Sequence, residues 1–149
     1  MALHIELAPN ERIIVGDAAI RNGSRRTKLT IETRAKVLRE RDIIFESEAD
    51  TPCKRLYLTI EEAYFAADPT EAEDRFIVQA NEVMGAVPSM GPYIARIYMK
   101  MSRGEGGFFR ALKEAQALVA YEAELLRMDV GPVRTPVPTG EAVSAVRFG

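Results

Sequence analysis

Apolar and polar positions alternate singly along the N-terminal part of the chain and then settle into a helical period. In LHIEL (3–7), Leu3, Ile5 and Leu7 fall on one side and His4 and Glu6 on the other, the pattern of a half-buried strand. RIIV (12–15) and AAIR (18–21) are short apolar runs separated by the tight-turn pair Gly16-Asp17. TKLTIE (27–32) alternates again, with Leu29 and Ile31 opposed to Lys28, Thr30 and Glu32, and AKVLR (35–39) is a fifth run. Five short strands closed by turns predict a small antiparallel sheet or barrel. Asn22-Gly23 is the strongest hairpin signal, and Gly23 is expected to supply a positive φ there. A β unit this small has edges that helices or a second copy must cover.

From Thr51-Pro52 the period changes. Threonine caps and proline fits the first helical position, so a helix starts there. Leu56, Ile60, Tyr64 and Ala67 mark its apolar face until Asp68-Pro69. A second helix is predicted over 70–84 (Phe76, Ala80, Val83 and Met84). A third covers 92–102 (Ile94, Ile97, Tyr98 and Met101), and a long fourth covers 108–128 (Phe108, Leu112, Ala115, Val119 and Leu126). Loops this short imply antiparallel neighbours. Residues 129–149 contain three prolines and read as an extended, mobile tail. The predicted class is therefore α+β: a five-stranded antiparallel β unit (1–47), a four-helix unit (48–128) and a tail (129–149).

Composition narrows the chemistry. With 149 residues, 47% hydrophobic and 28% charged, the chain is long enough for a core without staples. It contains no apolar run long enough to span a membrane, and MALHIELAPNERII lacks the basic-then-apolar order of a secretory leader, so a cytoplasmic, non-membrane protein is expected. One cysteine, Cys53, permits no intrachain disulfide and suits a reducing compartment. Together with the single histidine, His4, it leaves too little for a metal site, and no phosphate-loop, nucleophile-elbow, zinc-protease or CxxC motif occurs. No catalytic residue, cofactor or metal is expected.

Charge is unevenly placed. Residues 21–41 hold Arg21, Arg25, Arg26, Lys28, Arg34, Lys36, Arg39 and Arg41 against Glu32 and Glu40. That is a local charge of +6 in a chain of net −2, so the remainder carries −8. A basic strand-forming segment on an otherwise acidic protein is an address for a polyanion. The bland alternative is a solvated strand face paired with acidic residues elsewhere, which contributes little to stability. Arg26, Lys28 and Thr30 share one outward face. The acidic pairs Glu61-Glu62 and Glu73-Asp74 read as solvated helix faces. Met84, Met90 and Met101 read as core filler more readily than as a peptide groove. Tyr121-Glu122 is polar within an apolar stripe and marks either an interface or a buried Tyr hydroxyl satisfied locally.

The segment RNGSRRTKLTIETRAKVLRERDI (21–43), then DTPCKRLYLTIEEAY (50–64) and AYEAEL (120–125), resembles the FlbT family of flagellum biosynthesis repressors. Asn22-Gly23 with Arg25-Arg26, Val37 to Glu40 with Asp42-Ile43, and Thr51-Pro52 with Arg55 and Tyr57 carry the resemblance, which spans roughly residues 3–128. It implies a bacterial post-transcriptional regulator that associates with the 5′ untranslated region of flagellin mRNA and promotes its decay or blocks its translation. It supplies no catalytic residues. By analogy of strand pattern, with an early Val15-Gly16-Asp17 turn, the β unit is also similar to the CsrA-type RNA regulators. The expected RNA-binding residues are Arg21, Arg25, Arg26, Lys28, Arg34, Lys36 and Arg39. The expected partners are the flagellin leader RNA, flagellin or a flagellar assembly protein, and a second copy in a homodimer. The rival reading is a protein-binding adaptor acting on flagellin or an assembly factor, with only an indirect effect on the message. No RNA-recognition signature or aromatic array accompanies the basic segment, and that favours the rival.

Overall fold

A computed structural model describes residues 2–104 and 106–129. The architecture is α+β, with five antiparallel strands followed by four helices. The strands are β1 (Leu3–Leu7), β2 (Arg12–Val15), β3 (Ala18–Arg21), β4 (Thr27–Ile31) and β5 (Val37–Arg39). The helices are α1 (Pro52–Phe65), α2 (Thr70–Ala86), α3 (Gly91–Met101) and α4 (Gly107–Asp129). The predicted tail lies outside the described residues, apart from Asp129, which ends α4. The chain divides into a β unit up to Ile43 and a helical unit from Ile44.

The β unit is two sheets and not one. β1 pairs with β4, placing Leu3 opposite Ile31, Ile5 opposite Leu29 and Leu7 opposite Thr27. β2 is the centre of a second sheet, between β3 and β5. Ile5, Leu7 and Ile13 are buried, and Val15, Leu29, Ile31 and Val37 pack against them, so both sheets supply one core. Ile5 and Leu7 of β1 and Leu29 and Ile31 of β4 point inward, as the alternation requires, whereas Leu3, expected on the same side, is exposed at the start of the strand.

The turn between β2 and β3 is Gly16-Asp17, since Val15 faces Ala18 in the ladder. Gly16 has φ +63°, the conformation that glycine adopts without steric cost at the first position of a two-residue hairpin. Asn22-Gly23 does not close a hairpin. It joins strands of different sheets, and Gly23 is not among the positive-φ residues. The Asn22 side chain explains the difference: its amide donates to the carbonyls of Ala8 (2.8 Å) and Arg25 (2.8 Å), binding the β3–β4 connection to the turn after β1.

In the helical unit, α1 packs on α2 and α4, and α3 packs on α4. Thr51 caps α1 by accepting from the Lys54 N–H at 3.2 Å, and Pro52 occupies the first turn. The core is built from Leu56 and Ile60 of α1, Phe76 and Val83 of α2, Ile94 and Ile97 of α3, and Leu112 and Leu118 of α4. Met90 and Met101 are buried there as filler. Tyr98 departs from the predicted α3 stripe. It is 50% exposed and lies over Phe76, with ring centroids 6.5 Å apart. A Cβ on Gly107 would stand 2.4 Å from the Lys100 carbonyl oxygen, so only glycine lets α4 start this close to the end of α3. Among the described residues, no helix is long and apolar enough to cross a membrane.

Candidate nucleic-acid interface

The turn after β1 organises the basic residues. Asn10 takes φ +63°, which asparagine tolerates better than most residues. Glu11 folds back so that its carboxylate accepts the Ala8 N–H at 2.8 Å, while its own N–H donates to the Ala8 carbonyl at 3.1 Å. The β2–β3 ladder then continues through Asn22 N–H to Glu11 O and Asn10 N–H to Gly23 O, both 2.8 Å. This register sets Arg12 directly opposite Arg21 and brings the 22–26 segment alongside.

Five of the seven expected residues gather at this end. The Arg21 guanidinium donates to the Asn10 carbonyl at 3.2 Å. Arg26 lies 3.6 Å from the Glu6 carboxylate, and Lys28 is opposite Glu6 in the β1–β4 pairing. Arg25 precedes Arg26 in the β3–β4 connection, its carbonyl accepting from the Asn22 amide at 2.8 Å. Arg39 reaches across from β5, donating to the Glu6 carbonyl at 2.6 Å and standing 3.2 Å from a Glu11 carboxylate oxygen. Arg34 and Lys36 lie elsewhere: the Gly16 N–H donates to the Lys36 carbonyl at 2.8 Å, placing that residue at the opposite end of β2.

Arg21, Arg25, Arg26, Lys28, Arg34 and Lys36 are exposed, while Arg39 is half-buried. Among the described residues, the side chains of Arg25 and Lys28 have no acidic partner within ion-pair distance. Glu6, Glu11 and Glu40 are interspersed, the last beside Arg12 at 3.7 Å. The Ala8 N–H, and then Arg39, hold the Glu11 carboxyl below its ordinary value. Glu11 is thus an ionised pivot of the turn, and Arg39 serves that pivot more than solvent. Arg12 is the residue that the sequence reading missed. Its signal was present: a two-residue turn at 16–17 fixes 12 opposite 21.

Chemically, this end of the β unit offers guanidinium and ammonium groups to an anion. Residues 1–43 contain neither Phe, Tyr nor Trp, and their one aromatic ring is the His4 imidazole. His4 is a strand residue, with Nδ1 at 3.1 Å from the Thr30 hydroxyl across the pair.

In the helical unit two glutamates are buried. Glu61, expected on a solvated face, is 7% exposed because its carboxylate accepts the Ile44 N–H at 2.9 Å. Burial, with Glu62 and Glu48 adding to it, pushes its pKa up to about 7, against the lowering by that hydrogen bond. Glu122 of α4 accepts from the Thr51 hydroxyl and, at 3.1 Å, from the Cys53 N–H, so the polar position in the α4 stripe is a cap for α1. Its neighbour Tyr121 meets the Ser89 hydroxyl at 2.7 Å. Among the described residues, no group of three or more His, Cys, Asp or Glu side chains is arranged to hold a metal ion.

Residues 3–126 match the family described as Flagellar protein FlbT. The chain is 40% identical over 126 residues to the probable flagellum biosynthesis repressor protein FlbT 1 of Bradyrhizobium diazoefficiens, covering 84% of this chain and 85% of that one. It is 36% identical over 126 residues to the probable flagellum biosynthesis repressor protein FlbT of Rhodopseudomonas palustris, covering 85% and 98%. It is 30% identical over 131 residues to the flagellum biosynthesis repressor protein FlbT of Caulobacter vibrioides, covering 85% and 90%. No solved structure matches.

Proposed function

The chain belongs to the FlbT family of flagellar proteins, and on that footing we propose that it represses flagellin synthesis by binding the 5′ untranslated region of flagellin mRNA. The relatives are named flagellum biosynthesis repressors, which supports a regulatory role in flagellar synthesis. The RNA step rests on the β unit. Arg21, Arg25, Arg26 and Lys28 are exposed, and cations of this kind bind RNA by neutralising its phosphates. Occupying the leader blocks the ribosome or exposes the message to nucleases, and neither outcome asks the chain to make or break a covalent bond.

A gel shift with the purified chain and a flagellin leader transcript tests this reading. Arg25→Ala with Arg26→Ala weakens binding and reduces the salt slope by about 1.4, two single-strand phosphate contacts. An unchanged slope places the contacts elsewhere. A protein-binding adaptor is the second reading, favoured by the exposed Ile77 and Val78 on α2 and Tyr98 and Met99 on α3. Absence of any shift, with flagellin or an assembly protein co-purifying, favours the adaptor.

A further inference from the structure

Single-stranded RNA is gripped by cations along its backbone and by rings under its bases. The β unit has cations and a single imidazole, His4, but no Phe, Tyr or Trp. All eleven Phe and Tyr residues, five Tyr and six Phe, lie from Phe45 onward in the sequence, and those among the described residues belong to the helical unit. A grip on both backbone and bases therefore requires that unit to present rings and cations together.

The α3–α4 hairpin does. Three contacts fix its register. The Tyr93 and Tyr121 rings stack with centroids 4.8 Å apart, the Arg96 Nε is 3.6 Å from Glu114, and Gly107 abuts the Lys100 carbonyl. Tyr93, Arg96 and Lys100 recur at intervals of three and four on α3, and Arg110, Glu114 and Tyr121 share one stripe of α4. Arg103 follows in the turn after α3, its N–H on the Lys100 carbonyl at 3.1 Å. The two stripes therefore form one surface. Residues 91–114 carry Arg96, Lys100, Arg103, Arg110 and Lys113 against Glu105 and Glu114, a local charge of +3 in a chain of net −2. The Arg96 guanidinium lies 5.0 Å over the Tyr93 ring, so a cation and two rings already form a stack at one end of the stripe. Arg96 and Arg103 are exposed and Lys100 is half-buried.

We infer that this α3–α4 surface is a second contact for single-stranded RNA. Lys100, Arg103, Arg96 and Arg110 meet phosphates, and a base extends the Tyr93–Tyr121 stack beyond Tyr121. With a rise of about 1.5 Å per residue, positions 93 to 100 of α3 span about 10 Å. An acidic peptide would match the charge, but only a nucleic acid brings both a charged backbone and a flat π-face with every unit of the chain, so the surface fits a single strand. The inference rests on the RNA-binding reading above and assigns a separate site within it.

The test uses the full chain and the flagellin leader transcript. Lys100→Ala with Arg103→Ala lowers the salt slope by about 1.4, and adding Arg25→Ala with Arg26→Ala doubles that loss. Tyr121→Leu weakens binding at least fivefold with an unchanged slope, because stacking releases no counterions. Circular dichroism checks that each variant is folded. If only the Arg25 and Arg26 pair moves the slope, the second contact is wrong and the RNA reading stands. If the wild-type chain fails to shift the transcript, both fall. If polyglutamate of equal charge displaces the transcript from the helical surface as well as RNA does, the surface reads acidic proteins, and the inference is overturned.

Discussion

Arg39 on β5 is joined to Glu11 at the start of β2 by a 3.2 Å ion pair, and the same guanidinium donates at 2.6 Å to the Glu6 backbone carbonyl. One side chain thus ties the three-stranded sheet to β1 of the two-stranded one. Arg39→Ala removes both bonds while leaving Glu11 part-buried. It lowers the stability of the chain by about 1–3 kcal/mol in urea unfolding. Arg25→Ala, which touches neither bond, changes it by less than about 0.5 kcal/mol. Because the Glu11 carboxyl is held below its ordinary 4.5, its contribution is present above that pH and is lost as pH falls through the depressed value. Arg39→Ala shrinks this acid-side loss without abolishing it, since the Ala8 N–H is the larger cause. Equal stability for the two variants would mean that Arg39 is a solvent-facing cation like the others.

Glu61 has the opposite sign. Its folded-state pKa is raised from 4.5 to about 7, chiefly by burial. Between those values the folded chain keeps a proton that the unfolded chain has released, so stability declines as pH rises from 4.5 to about 7 and levels off above. Glu61→Gln keeps a carbonyl oxygen for the Ile44 N–H and removes the buried charge and its proximity to Glu62 and Glu48. The variant is the more stable at pH 8, by up to the order of 3 kcal/mol. The two proteins converge below pH 4.5. Thermal melts across that range check it, and a difference that grows towards low pH contradicts the assignment.

The Cys53 thiol is 1% exposed, lies 3.6 Å from the Met90 sulfur, and has its pKa pushed up by burial and then by the Glu122 charge. A thiolate is the reactive form, so this group is inert in the folded chain. Ellman's reagent at pH 8 finds no accessible thiol in the native protein and one per chain in urea. A native reaction faster than global unfolding would show that the α1 N-terminus opens locally.

Strand positions were legible because burial on one face forces alternation, and Ile5 with Leu7, and Leu29 with Ile31, kept it. Pairing was legible only at the Gly16-Asp17 turn, which joins β2 to β3. Asn22-Gly23 has the chemistry of a hairpin, but the Asn22 amide finds better partners in the Ala8 and Arg25 carbonyls, and the apolar faces of β1 and β4 choose each other. The seven expected cations were identified as a group from charge density alone. Charge density cannot say that Lys36 lies at the Gly16 end of β2, because that follows from the β2–β5 register. The two buried glutamates were hidden for a related reason. On a helical wheel Glu61 and Glu122 are polar intrusions, and only the tertiary arrangement supplies the Ile44 and Cys53 N–H groups that justify them.

Glu122 is the sharpest such case. Helix α1 has no acidic residue in its own first turn, so the positive end of its dipole lacks a local anion. Glu122 supplies one from α4, with its carboxylate accepting the Cys53 N–H at 3.1 Å and the Thr51 hydroxyl. Being 1% exposed, it cannot exchange these partners for bulk water. Glu122→Ala leaves a buried N–H and a hydroxyl unpaired and opens a cavity beside Cys53, costing about 2–4 kcal/mol. Glu122→Gln keeps one oxygen acceptor but loses the charge, costing about 1–2 kcal/mol. Urea titrations order the three proteins as wild type, Gln, Ala, with unchanged m-values. In the same Ala variant the Cys53 thiol becomes reactive before global unfolding, because the capped turn that shields it has lost its anchor. An Ala variant as stable as wild type would mean that the α4 carboxylate does not hold the start of α1.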